Sequence, residues 1–188
     1  MKVQNPAAFV DLETGILRGK SVSVIRRTLG DLKGIYLDKG AVSQMDSEKV
    51  VYEVLVHQVA PVKEGGLLFG TTFLYPGKVG DEYFMTKGHY HLKRDRGEYY
   101  WGFAGQGLLL LMDEQRNARV EKVSRGSLHY VPGHTAHRLV NIGSEPLIVG
   151  ACWPADAGHD YEAIAGKGFS VWVKEVNGVC RIVSESKR

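Results

Sequence analysis

The sequence predicts an all-β fold, a closed sandwich or barrel carrying a few short helices. Three observations predict it. Short runs rich in Val, Ile, Leu, Tyr and Phe recur along most of the chain. Turn signals separate them: Pro76-Gly77, Gly105-Gln106-Gly107, Pro132-Gly133 and Gly143-Ser144. Glycine fills 23 of 188 positions, and it punctuates these runs rather than forming a linker. The runs read as strands over Val50–Val59, Leu67–Tyr75, Glu98–Phe103, Leu108–Met112, Arg119–Val123, Leu128–Val131, His137–Ile142 and Leu147–Trp153. A last hairpin joins Ser170–Val176 to Val179–Ser184 through Asn177-Gly178, the strongest short hairpin signal. Helix signals are confined to Asp38–Ser47 and Asp160–Ala165, while Ser23–Asp31 is ambiguous between helix and strand. The chain is expected to be one domain: an N-terminal extension over 1–48, a barrel core over 49–155, and a C-terminal turn and hairpin over 156–188.

Composition removes several function classes. Hydrophobic residues make up 44% and the formal charge is 24 − 21 = +3, which excludes a disordered chain. No apolar run approaches the ~20 residues that cross a bilayer, so no membrane partner is expected. The start of the chain, MKVQNPAAFVDLE, has no apolar signal region, and two cysteines do not make a disulfide scaffold; a cytoplasmic location is the expectation. Basic residues are scattered, and the densest stretch, Lys93-Arg94-Asp95-Arg96, carries its own acid, so no nucleic-acid partner is expected.

The histidines carry the chemistry. Six of seven lie at or beyond position 89. On a strand, His89 and His91 point to one face. Glu98 follows beyond the polar turn Lys93–Gly97, where a return strand brings it beside the two rings, and His137 ends a second segment after the Pro132-Gly133 turn. Three neutral imidazoles and one carboxylate form an incomplete four-ligand shell of catalytic type. Such a set suits Fe(II), Mn(II), Ni(II), Co(II) or Zn(II), and the residues alone do not choose among them.

The segments His89-x-His91…Glu98…Gly105 and Gly126-x5-Pro132-x4-His137-x3-Asn141 resemble the two signature motifs of the cupin superfamily. The His91–Glu98 gap of six residues is longer than the common cupin pattern, and His134 stands where that pattern has glycine. Thr86-Lys87-Gly88-His89-Tyr90-His91, Asp95-Arg96-Gly97-Glu98, Tyr130-Val131-Pro132, Ala136-His137-Arg138 and Pro154-Ala155-Asp156-Ala157-Gly158-His159-Asp160-Tyr161 resemble one cupin family closely, the cupin-type glucose-6-phosphate isomerases first recognised in archaea. That resemblance implies a jelly-roll barrel, one divalent ion per subunit (Fe2+ first, with Mn2+, Ni2+, Co2+ or Zn2+ as alternatives), a homodimer, and interconversion of glucose 6-phosphate and fructose 6-phosphate. It places metal ligands at His89, His91, Glu98 and His137. Proton carriers fall among Glu98, His159, Tyr52 and Tyr100. Phosphosugar contacts fall at Thr72, Thr86, Gly88, Trp153 and Tyr161, with Trp153 standing where a tyrosine is expected and no aromatic bulk before Ala136-His137. Strand alternation points Lys87 away from that group. The competing readings are a mannose-6-phosphate isomerase, a metal-dependent dioxygenase and a metal-free sugar-binding module.

Overall fold

The computed structural model describes residues 1–59 and 63–184; the last four positions of the expected C-terminal segment lie outside the described residues. In chain order the elements are β1 (Ala8–Val10), β2 (Leu17–Gly19), β3 (Val22–Thr28), α1 (Leu29–Leu32), α2 (Lys39–Ser43), β4 (Val50–His57), β5 (Leu67–Leu74), β6 (Lys78–Val79) and β7 (Glu82–Tyr83). There follow β8 (Glu98–Ala104), β9 (Gly107–Asp113), β10 (Ala118–Val123), β11 (Leu128–Val131), β12 (Thr135–Asn141), β13 (Leu147–Pro154), a 3₁₀ turn at Glu162–Ile164, β14 (Val171–Val176) and β15 (Val179–Ser184). A six-stranded antiparallel sheet, β11-β8-β13-β5-β4-β3, is complemented by a three-stranded one, β10-β9-β12. This is a jelly roll whose ladders do not close into one continuous barrel.

Local chemistry explains the elements. The ambiguous stretch Ser23–Asp31 divides at Thr28: alternating Val and Ile make β3, and Thr28 then caps α1 through a reciprocal capping box with Asp31. Strand β3 comes from the first 48 residues, yet it pairs in register with β4, Arg27 opposite Tyr52. The expected helix at 38–47 shrinks to five residues behind the Asp38 cap, and that at 160–165 to the single 3₁₀ turn. The Asn177-Gly178 hairpin forms as expected, both residues at positive φ of 52° and 74°. Strand β9 is buried along six of its seven residues because β10 and β12 flank it and the larger sheet covers it. Leu109, Leu110 and Leu111 there, with Leu74, Phe84 and Leu147, form the centre of the core. Truncating one such leucine to alanine costs ~2–5 kcal/mol.

Asn141, the last residue of the second motif, is a structural bolt. Its side-chain amide is fully buried and donates to the Leu74 and Glu145 carbonyls, tying β12 to β5.

Candidate active site

Period-two alternation builds the site. Ile25 and Arg27 of β3, Tyr52, Val54 and Val56 of β4, Gly70 and Thr72 of β5, Glu98 and Tyr100 of β8, and Ala151 and Trp153 of β13 share the inner face of the large sheet and line one cavity of about 150 Å³. His137 and Leu139 of β12 face them from across, and the segment 86–91 closes one side. Gly70 is small for a reason: a Cβ there would sit 3.0 Å from the Trp153 indole and 2.9 Å from the Leu55 carbonyl oxygen.

The His89/His91 pair reaches the cavity without the strand that was expected. Residues 86–91 form only single bridges, His89 with His137 and Tyr90 with Asp160. Gly88 interrupts the strand geometry with φ +71°, where a Cβ would strike Phe169 and Arg138. Alternation holds across the three residues that matter: both imidazoles point inward, and Tyr90 points away to donate to the Asp113 carbonyl. The same glycine overturns the expectation for Lys87, whose side chain lines the cavity with its ammonium 4.3 Å from the Tyr161 ring centroid.

His89, His91 and His137 each place a ring nitrogen within 4.8 Å of the others. Glu98 Oε1 lies 2.6 Å from His137 Nε2 and 3.6 Å from His91 Nε2. Both Glu98 Oε1 and His137 Nε2 are buried and lack a well-formed hydrogen bond. Buried polar atoms are normally satisfied, so two orphans aimed at one point fit a bound cation. The outer nitrogens are anchored. His91 Nδ1 is 2.7 Å from the Arg96 carbonyl, an arrangement that fixes the tautomer and leaves Nε2 for the site. His137 Nδ1 faces the Thr135 carbonyl at 3.4 Å. Burial, and then the neighbouring His137, hold His89 far below the usual histidine range, in the neutral form a metal requires. Burial alone would raise Glu98, but the adjacent His137 and His91 rings bring its carboxyl down to about 2.

The remaining expected residues gather around this centre. His159 stacks parallel to Tyr161, with ring centroids 5.8 Å apart, and meets His89 edge-on at 4.3 Å. Ion pairs lock the segment carrying His159 to the His91–Glu98 turn: Asp156 accepts from Lys93 at 2.6 Å and Arg96 at 2.8 Å, and Asp160 pairs with Arg94. Thr72, Thr86, Gly88, Trp153, Tyr52 and Tyr100 all line the cavity. His134 does not; it is exposed, at φ 58°, beside Glu114. Sequence reasoning missed Arg27. Its signal was alternation with the partner strand, hidden because β3 was ambiguous.

The chain matches the family described as glucose-6-phosphate isomerase (GPI) over residues 26–185. It belongs to that family. Relatives named glucose-6-phosphate isomerase include one from Thermococcus litoralis, 48% identical over 95% of this chain and 94% of its own length. One from Pyrococcus furiosus is 47% identical over 95% and 94%, and one from Sinorhizobium medicae is 43% identical over 89% and 79%. Among solved structures the chain is similar to oxalate decarboxylase from Bacillus subtilis, at 21% identity and TM-score 0.46, covering 57% of this chain and 26% of that one. The long His91–Glu98 gap and the 154–161 segment, both read as family features, are the two pieces that the Asp156 and Asp160 ion pairs bolt together. Among the described residues no helix is long and apolar enough to cross a membrane.

Proposed function

We propose that the chain is a metal-dependent aldose–ketose isomerase interconverting glucose 6-phosphate and fructose 6-phosphate, with His89, His91, Glu98 and His137 holding one divalent ion. The observation that carries this reading is the family match along the chain, with the family's expected residues converging on one cavity. Fe(II) is the proposed ion, ahead of Mn(II), Ni(II), Co(II) and Zn(II), all of which accept three imidazoles and a carboxylate. When bound, such an ion supplies Lewis acidity toward the C1 or C2 oxygen of the open-chain sugar.

The chain's own groups divide the remaining work. Burial raises the Tyr52 phenol to about 12. Burial and the adjoining Glu98 carboxylate push Tyr100 well above the usual phenol value. Both phenols therefore stay protonated and serve as donors to the sugar oxygens. Glu98, at about 2, is a poor base. His159 remains: burial, and then the nearby His91, lower its pKa, so its imidazole is neutral and free to take a proton. In this reading His159 removes the C2 proton of the open-chain sugar as O1 takes a proton from a neighbouring phenol to give the enediol. The O2 hydroxyl proton then restores the phenol as His159 returns its proton to C1, leaving the ketone at C2. Arg27 and Lys87, the Arg and Lys side chains lining the cavity among the described residues, supply charge for the phosphate beside Thr72, Thr86, the Gly88 amide and Tyr161. Trp153 and the aliphatic strand residues keep water from the reacting carbons.

We also propose a homodimer in the cytoplasm. The outer face of the large sheet is apolar near its β8–β11 edge, with Tyr99, Leu128 and Tyr130 about half exposed or more. Light scattering on wild type and Tyr130→Asp tests that surface, a dimer that becomes a monomer being the expected result.

The test of function is conversion of glucose 6-phosphate, with mannose 6-phosphate and unphosphorylated glucose in parallel. Fructose 6-phosphate should form without oxygen uptake, and in D2O deuterium should enter the product. Oxygen consumption would favour a dioxygenase, and product free of deuterium would replace the proton route with a hydride shift.

A further inference from the structure

The wall of the substrate cavity has a second side. His137 and Leu139 face the substrate cavity, so Arg138 between them points the other way. Behind it lies another cavity, of about 380 Å³, bounded by the 34–39 segment, the 162–168 turn and Trp172. Lys87 and Tyr161 line both cavities.

The second cavity is cationic. Lys39, Lys87, Arg138 and Lys167 line it against a single acid, Glu162. Lys39 is already engaged with the carbonyls of Lys33, Gly34 and Tyr36. Lys87 and Lys167 form no ion pair among the described residues. Arg138 is 3% exposed and forms no contact ion pair among the described residues, the buried Glu82 carboxylate acting on it only from further off. Its guanidinium donates to the Met85 sulfur at 3.3 Å and to the Lys87 carbonyl, and lies 4.5 Å from the Phe169 ring centroid. Its Nε is buried with no acceptor, and so is the hydroxyl of Tyr36, which lines the same cavity. A guanidinium buried with no carboxylate in contact is unfavourable unless a closer anion joins it. Two unpartnered buried polar groups and two lysines outside any described ion pair therefore surround one cavity.

We propose that this cavity is a second anion site, taking inorganic phosphate or a small phosphorylated metabolite. Arg138 offers unused N–H groups, Tyr36 a hydroxyl, and Lys87 and Lys167 charge at the mouth. Because Lys87 and Tyr161 are shared, an anion here draws Lys87 from the substrate side and weakens phosphosugar binding, and by linkage the sugar weakens the anion. That coupling rests on the isomerase reading; the binding itself does not.

Calorimetric titration of the metal-loaded full-length protein with inorganic phosphate tests it. Wild type should show two binding events. Lys167→Glu, an exposed substitution on a turn, should weaken one about tenfold and leave turnover at saturating glucose 6-phosphate unchanged. Arg27→Gln should weaken only the other. Two events with no isomerase activity would sink the reaction assignment while keeping the second site. No phosphate binding, or one event that Arg27→Gln weakens and Lys167→Glu leaves alone, overturns the proposal.

Discussion

His129 and His137 lie at equivalent depth, 5% and 2% exposed, and each sits beside a glutamate, yet they are opposite kinds of residue. His129 spends both ring nitrogens. Its Nδ1 is 2.7 Å from Glu121 and its Nε2 2.8 Å from Ser127 Oγ, so it staples β10 to the start of β11. His137 has Nε2 orphaned against an equally orphaned Glu98 oxygen, with two further imidazoles converging on the same point. A buried histidine whose hydrogen bonds are complete is architecture. A cluster that turns an unpartnered nitrogen and an unpartnered carboxylate oxygen toward one point has the chemistry of a cation site.

Substitution at the two positions separates them most sharply. His137→Ala should remove the bound metal and lower isomerase turnover by about 1000-fold or more, with the melting curve of the metal-free protein little changed. His129→Ala should keep metal and turnover but lose about 1–3 kcal/mol of stability, because Glu121 loses its buried partner. Metal analysis and denaturant titration of both variants check this, and normal turnover in His137→Ala would remove the distinction. Next in size, Glu98→Gln should cost metal affinity and turnover together, whereas Glu121→Gln should touch neither. Thr86→Val should raise the KM for glucose 6-phosphate about tenfold while kcat changes less, since the hydroxyl acts far from the reacting carbons. Thr86→Ser, which keeps the oxygen that accepts from the Leu139 amide, should recover most of it.

The smallest effect is on pH stability. Hydrogen bonds from Arg96, and then from Lys93, hold Asp156 below the ordinary aspartate value of 3.8. A depressed carboxylate stabilises the fold above its unfolded pKa and loses that contribution as pH falls through the folded one. Wild type should therefore lose part of its stability below pH 3.8, and Asp156→Asn should flatten that limb in melts taken across the acid range.

Much of the fold is legible in the sequence. The strand runs and the Asn177-Gly178 hairpin announce themselves locally, by residue type and turn chemistry. The four candidate ligands also follow from spacing and resemblance. What escaped depends on partners distant in sequence. Arg27 enters the pocket because β3 pairs with β4, a register that the Ser23–Asp31 pattern does not specify. Lys87 was assigned to the wrong side because alternation presumes a strand, and Gly88 breaks it. Arg138 reads as one more basic residue until its burial, its unpartnered Nε and its place against the Phe169 ring become visible.

The central claim is that the inward-facing atoms of His89, His91, His137 and Glu98 hold an ion on which isomerisation depends. Its most direct test is to strip the protein with chelator and titrate Fe(II) back while following fructose 6-phosphate formation. Activity should vanish on stripping and return in proportion to metal, saturating at one ion per chain. Full turnover in the stripped protein would contradict the account.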